Sequence, residues 1–391
     1  ANDGRPIYRQ PETPLWIVPT RAGDALIRRI RRGGSINNGF DPLGMTRARQ
    51  LMAQLTTAPP EPYPGRAGLL SLDRLEECWL HITDHCNLAC RHCLFSCSPQ
   101  ARTTLSLVDF NNAFTQGFDL GARLFFLTGG EPLMHPDFIE ICRTVLDHSP
   151  QNHLVVLTNG LLLLQRWNAI ADLPLERLHL QISVDGDRHV HDQVRGKGSY
   201  DRLMKALARL NGSGIDVNLA MAVDRYNLAL MTHPVELAEA HGIGSVHYLW
   251  LLVSGNARPE TVVEPDALFN PLMAAHARAM KAGVDIDNIS TLAARVFSPP
   301  GTRHDLGSGG WTSLAVGPDG RIYPTPALIG QAPACAGRLE EGIESVWRTS
   351  SRLEALRRLS VSTDPDEAED PLRFLTGGSD MDHSYYATGR F

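Results

Sequence analysis

Cys86, Cys90 and Cys93 stand in a C-x3-C-x2-C spacing, and Cys97 follows four residues later. Thiolates this close do not disperse as core packing; they converge on one metal centre, and soft sulfur suits zinc or an iron–sulfur cluster. Further polar groups could do chemistry beside it: Thr128-Gly129-Gly130-Glu131-Pro132, Thr158-Asn159-Gly160, Ser183-Val184-Asp185-Gly186 and Arg195. Gly129 and Gly130 let backbone approach a ligand with no Cβ in the way. Glu131 offers a negative charge to a cationic ligand, and the planar fork of Arg195 matches a carboxylate.

The elements that must position these groups are short apolar runs at 79–83, 123–127, 154–157, 178–184, 217–223 and 246–252. Helical patterns lie between and after them, near 106–119, 135–147, 161–171, 199–212, 227–241 and 265–282. Nearly continuous apolar strands alternating with helices predict an α/β fold with a parallel sheet of right-handed βαβ units. Six repeats predict a partial (β/α)6 TIM-like barrel. Ser106 precedes one helix, Pro136 opens another and Gly242 ends a third. In such folds the C-terminal ends of the strands build the active site. The cysteines follow the first strand, Gly129 to Pro132 the second and Thr158 to Gly160 the third. Ser183 and Asp185 close the fourth, with Arg195 in its loop, so all face one mouth.

A chain of 391 residues exceeds one ordinary core. The expected organisation is an N-terminal accessory unit over 1–75, the barrel over 76–300 and an extension over 301–391. Net charge −6 argues against a general nucleic-acid binder, and no apolar run approaches membrane-spanning length. Seven cysteines, odd in number and clustered, do not form a disulfide framework; with no signal-peptide pattern, the reading is cytoplasmic and reducing. In the first unit, helices are expected over 24–32 and 46–55. The basic run 28–32 reads as a solvated helix face and the Pro-rich stretch 58–64 as a linker. In the last, Pro318-Asp319-Gly320 predicts a hairpin turn, 343–359 a helix and the acidic run 364–370 a solvated loop.

Blander readings stand beside these. The three cysteines with Cys97, His81, His85 or His92 as a fourth ligand would make a structural zinc site, in which the Gly-Gly-Glu-Pro loop has no place. Asp185-Gly186 is also good turn chemistry. Cys97 reads as a bystander thiol, an accessory ligand or a catalytic thiol, and Cys78 and Cys142 as small core residues.

With Cys86-x3-Cys90-x2-Cys93 and Gly129-Gly130-Glu131-Pro132 in register with the strands, residues 76–255 resemble the radical S-adenosylmethionine (SAM) superfamily. The resemblance implies that Cys86, Cys90 and Cys93 ligate three irons of a [4Fe–4S] cluster whose fourth iron binds SAM. It implies that Gly129, Gly130, Glu131 and Pro132 meet the methionine amino group, Ser183 and Asp185 the ribose or carboxylate, and Arg195 the carboxylate. His92 stands where the family usually has an aromatic and is expected to pack near the adenine. The implied reaction is reductive cleavage of SAM, then hydrogen abstraction from a substrate C–H bond by the 5′-deoxyadenosyl radical. An electron donor such as flavodoxin or ferredoxin would supply the electron.

The last unit resembles the SPASM extension of peptide-modifying members of that superfamily. It rests on Gly317-Pro318-Asp319-Gly320-Arg321-Ile322-Tyr323-Pro324, Ala336-Gly337-Arg338-Leu339 and 343–347. Thr325 stands where the family has a cysteine, and Cys335 is the unit's one thiol, so a single cluster is expected in this chain. Residues 13–36 faintly resemble a leader-peptide recognition domain. The expected substrate is a ribosomally made peptide; a sugar, nucleoside or amino acid is the alternative, and a non-catalytic peptide-binding partner a remote one.

Overall fold

The computed structural model describes residues 6–9, 16–32, 46, 50, 53, 63–297 and 305–391. The chain divides into two compact units. One comprises Ala1–Leu70, Ala294–Gly307 and Arg358–Ser379, the other Ser71–Ala293, Ser308–Arg357 and Asp380–Phe391. The expected boundaries at 75/76 and 300/301 therefore do not coincide with the observed units.

In the first unit, β1 (Tyr8–Arg9) pairs antiparallel with β2 (Trp16–Ile17). A helix over Arg21–Arg31 follows, starting ahead of the expected position because the Thr20 side chain accepts from the Gly23 N–H. It buries Leu26 and Ile27 and leaves its arginines outward, with Arg28 paired to Asp24 at 3.0 Å. Of the expected helix over 46–55, only Thr46, Gln50 and Ala53 are described, and each is helical; most of the Pro-rich stretch lies outside the described residues. The acidic run 364–370 is not simply solvated. It contains a helix over Pro365–Ala368, and buried Glu367 accepts from the Ser379 N–H at 2.7 Å.

The second unit is built on a ten-stranded sheet. β3 (Glu77–Thr83), β4 (Leu124–Gly129), β5 (His153–Thr158), β6 (Leu178–Ser183), β7 (Asp216–Val223) and β8 (Ser245–Trp250) are parallel neighbours in chain order. These are the six strands that the apolar runs predict. β9 (Asp285–Ile286) extends the sheet beside β8. On the other side β10 (Ser313–Val316) lies parallel to β3, and β11 (Arg321–Tyr323) and β12 (Gly337–Arg338) continue antiparallel. The extension expected to stand apart from residue 301 thus shares the barrel sheet. The cause is β3, whose edge must be paired, and all four residues of β10 are buried there.

The strands alternate as a half-closed barrel requires. Leu80, Ile82, Phe125, Leu127, Leu154, Val156, Leu219 and Met221 face the helices in one core, each fully buried aliphatic or aromatic side chain contributing about 1.5–3 kcal/mol. Their neighbours Trp79, Phe126, Val155, Leu157, Gln181, Ala220 and His247 line the interior. Helices over Leu107–Asp119, Phe138–His148, Leu163–Ala171, Ser199–Leu210, His233–His241 and Pro265–Ala282 occupy the expected intervals. Ser106 accepts from the Asp109 N–H, and Gly242 ends its helix at φ +67°. Pro136 does not open the next helix; Asp137 is its N-cap. The helix expected over 343–359 breaks at extended Ser350 into Ile343–Thr349 and Ser351–Arg357, where the Ser350 hydroxyl donates to Ala336 O at 2.8 Å.

Candidate active site

β3 and β4 shift register between His81 and Thr83, which turns the chain out of β3 just before the cysteines. There two loops lock together. The Gly130 N–H donates to Thr83 O at 2.7 Å and the Glu131 N–H to His85 O at 3.0 Å. A Cβ on Gly129 would lie 2.3 Å from Thr83 O, and one on Gly130 2.5 Å from His85 O. Gly129 also sits at φ +136°. The glycines are thus required by the close approach of the cysteine loop, not only by room for a ligand.

Glu131 is fully buried, and its carboxylate accepts from the Thr158 hydroxyl (2.8 Å) and the N–H groups of Asn159 (2.8 Å) and Leu133 (3.1 Å). Burial raises its pKa while these donors lower it. Glu131 thus braces the loop after β4 against the end of β5, which leaves the loop's backbone as the part free to meet a ligand. Asn159 in turn donates to Asn87 Oδ1 at 2.8 Å, inside the cysteine loop. From the far side of the barrel, Asn256 holds the same loop, its N–H donating to Cys93 O and its side chain to Cys90 O, both at 2.9 Å.

Arg195 is the last residue of a helix over Arg188–Arg195, not part of a loop; that segment is too polar to show an apolar stripe. Its Nε donates to Asp185 Oδ2 at 2.5 Å, and His92 Nε2 lies 3.6 Å from the same oxygen. Asp185 is fully buried and also accepts from the Ala222 N–H at 3.2 Å. Arg195 therefore holds the protein's own carboxylate while still lining the cavity, and Asp185 is turned into the wall.

Burial opposes the charge on Asp185, but Arg195, His92 and His191 outweigh it and hold its pKa at about 2, below 3.8. A folded pKa below the unfolded one means that ionisation favours folding. The contribution, about 2 kcal/mol at 1.36 kcal/mol per pH unit, is present above pH about 4 and lost between about 4 and 2. Asp185→Asn is therefore expected to flatten the acid limb of stability over that interval, which denaturant unfolding at stepped pH measures.

One cavity of about 710 Å³ lies at the C-terminal mouth of the strands. Cys86, Cys90, His92, Cys93, Gly129, Gly130, Ser183 and Arg195 all line it; Glu131, Pro132 and Asp185 stand buried behind its wall. Burial pushes the Cys86 thiol up to about 12 and raises Cys90 also, so a bound cation is what would keep both ionised. Backbone N–H groups already aim at sulfur: Leu88 to Cys86 Sγ at 3.4 Å and Cys97 to Cys93 Sγ at 3.3 Å. Sequence reasoning missed Asn256, which is distant in the chain and carries no local signal. It also missed His247, paired with Asp287 at 2.6 Å in the same cavity; strand alternation along β8 was the available signal.

Parallel strands, three thiols at their C-terminal mouth and a glycine loop locked to the thiol loop define a class, and comparison with known proteins agrees with it. Residues 80–230 match the Radical SAM superfamily, so this part of the chain is similar to that family. It is 27% identical over 271 residues to the Bacillus subtilis antilisterial bacteriocin subtilosin biosynthesis protein AlbA, covering 68% of this chain and 58% of that one. It is 27% identical over 289 residues to the Mycolicibacterium smegmatis mycofactocin maturase MftC, covering 71% of each. This chain thus spans little more than half of AlbA. The fold is that of Streptococcus suis SuiB bound to S-adenosylmethionine: TM-score 0.64, 14% identity, 92% of this chain and 84% of that one.

The superfamily's cofactors are a [4Fe–4S] cluster and SAM. The donor set fits them. Three thiols open onto one cavity, N–H groups point at two of the sulfurs, and the volume is that of a small-molecule site.

Proposed function

We propose that the protein modifies a ribosomally made peptide at a C–H bond, with Cys86, Cys90 and Cys93 holding the cluster. When bound, the cluster and SAM supply a one-electron reduction and a radical able to take hydrogen from an unactivated carbon. The chain's own residues do the rest. Asn256 and the Gly129-Gly130 loop hold the cysteine loop; Asp185 and Arg195 set the charge of the wall beside it; Ser183 offers a hydroxyl at the end of β6. His92 faces the cavity as a mostly neutral imidazole, its pKa lowered by burial. The apolar lining of Phe126, Val155 and Leu157 excludes water and orients the substrate.

The observation that carries this reading is the three thiols opening, beside the locked glycine loop, onto one apolar cavity. The peptide substrate is supported by the relatives: AlbA and MftC are named as a bacteriocin biosynthesis protein and a maturase, and SuiB is known bound to its precursor peptide SuiA. A SPASM-like role for the extension, as a wall rather than a second cluster site, is supported by Thr325, which donates to Asp382 at 2.5 Å where that family carries a cysteine. Flavodoxin or ferredoxin is the proposed electron donor, and the cytoplasm the proposed location; no helix among the described residues is long and apolar enough to cross a membrane.

Candidate precursor peptides co-expressed with the enzyme test the substrate. A mass change of about −2, about +14, or none with deuterium taken up from solvent distinguishes crosslinking, methylation and epimerisation. If no peptide changes while a sugar, nucleoside or amino acid is turned over, the small-molecule alternative replaces the peptide.

A further inference from the structure

Next to the cysteine loop, His81, Asp84 and Cys97 bring one ring nitrogen, one carboxylate oxygen and one thiol within 4.8 Å of one another. The three come from β3, the turn that leaves it and the segment after Cys93. His81 is fully buried, yet neither of its ring nitrogens makes a hydrogen bond among the described residues. A buried ring nitrogen that nothing satisfies costs about 1–3 kcal/mol. Nε2 does lie 2.8 Å from Asp84 Oδ1, but without the alignment of an N–H donor. Two electron pairs facing each other at that distance repel unless a cation or a proton lies between them. Cys97 is buried as well, with only 2% of its surface exposed.

We propose that His81, Asp84 and Cys97 form a second metal site, adjoining the cluster cysteines through Cys97, that takes one divalent ion of the zinc type. An N, O, S donor set is what Zn2+ accepts, and three protein ligands leave a fourth position for water. A cavity of about 300 Å³ reaches His81 and Asp84, while Cys97 lines the 710 Å³ cavity beside the cluster cysteines, so the ion would sit between the two. The site pins the segment after Cys93, whose Cys97 N–H donates to Cys93 Sγ at 3.3 Å. It does not depend on the cluster assignment being right.

Metal analysis of the anaerobically purified enzyme, after exchange into a weak chelator, is expected to find about one zinc per chain beside its iron. His81→Gln and Cys97→Ala are each expected to lose the zinc. In the Cys86→Ala/Cys90→Ala/Cys93→Ala variant, which has no cluster absorption, added Co2+ should give about one equivalent of thiolate-to-cobalt charge transfer and tetrahedral d–d bands. Adding Cys97→Ala should remove them. Circular dichroism and melting report whether each variant folds; if the triple variant does not, the zinc count of the enzyme and its His81→Gln variant decides. No zinc or cobalt beyond the cluster overturns the proposal. So does zinc that survives both His81→Gln and Cys97→Ala, or zinc that is lost only when the cluster cysteines are changed.

Discussion

Cys86→Ala, Cys90→Ala and Cys93→Ala are each expected to reduce SAM cleavage at least about a thousandfold, because the three thiolates act as one unit and losing any member costs nearly the whole effect. Iron in the reconstituted protein is expected to be about four per chain, the content of one cluster, and to fall toward zero in each variant. The fold should survive. Each thiol faces the cavity rather than the helix-packed core, and truncating it costs about 1 kcal/mol, a typical point-mutant value. Iron analysis, 5′-deoxyadenosine formation under reduction and thermal melting of the same preparations make the test. Iron near eight per chain in the unaltered protein would contradict a single cluster, and zinc filling the three-cysteine site in place of iron would restore the structural-zinc reading. A variant that keeps full cleavage would remove its cysteine from the ligand set.

Gly130→Ala should be nearly as damaging while leaving every cysteine in place. The added Cβ would meet His85 O at 2.5 Å and Asp84 O at 2.8 Å, both backbone atoms that no rotamer change can move. Overpacking usually costs about 1–3 kcal/mol, and a backbone clash belongs at the upper end. The melting temperature is therefore expected to fall by roughly 6–12 °C, at about 2–4 °C per kcal/mol for a unit of this size. Iron loading should fall with it, since the loop carrying Cys86 cannot keep its place to within about 0.5 Å. Gly244→Ala is the control: its Cβ meets nothing within 4 Å, and a shift inside about 0.5 kcal/mol is expected. If Gly130→Ala melts and loads iron like Gly244→Ala, the interlock of the two loops is not what positions the cysteines.

Much of this protein is readable one residue after another. Strands buried on both faces announce themselves as short apolar runs, and the cysteine spacing is a local signature because its thiols must reach one centre. The rule that strand ends carry chemistry then sorts the polar groups to one mouth. What the residues do there was less legible. Glu131 and Arg195 are charged groups near a cavity, and either could have met a ligand. In the fold, Glu131 is saturated by two donors from the end of β5 and one from its own loop, and Arg195 is bound to Asp185. Such pairings depend on which strand ends become neighbours.

Three features belong to the tertiary structure alone. The edge of β3 recruits β10 from more than two hundred residues away, because an unpaired strand edge must be covered. Asn256 reaches the carbonyls of Cys90 and Cys93 from beyond β8. His81 is legible as a possible ligand, but that it meets Asp84 and Cys97 is decided only when the loop after β3 folds back. The cysteines, Gly129 and Gly130 were determined by the sequence itself, since spacing and the lack of a Cβ are local properties. Their partners were not, because burial and hydrogen bonding are decided by what the folded chain brings alongside.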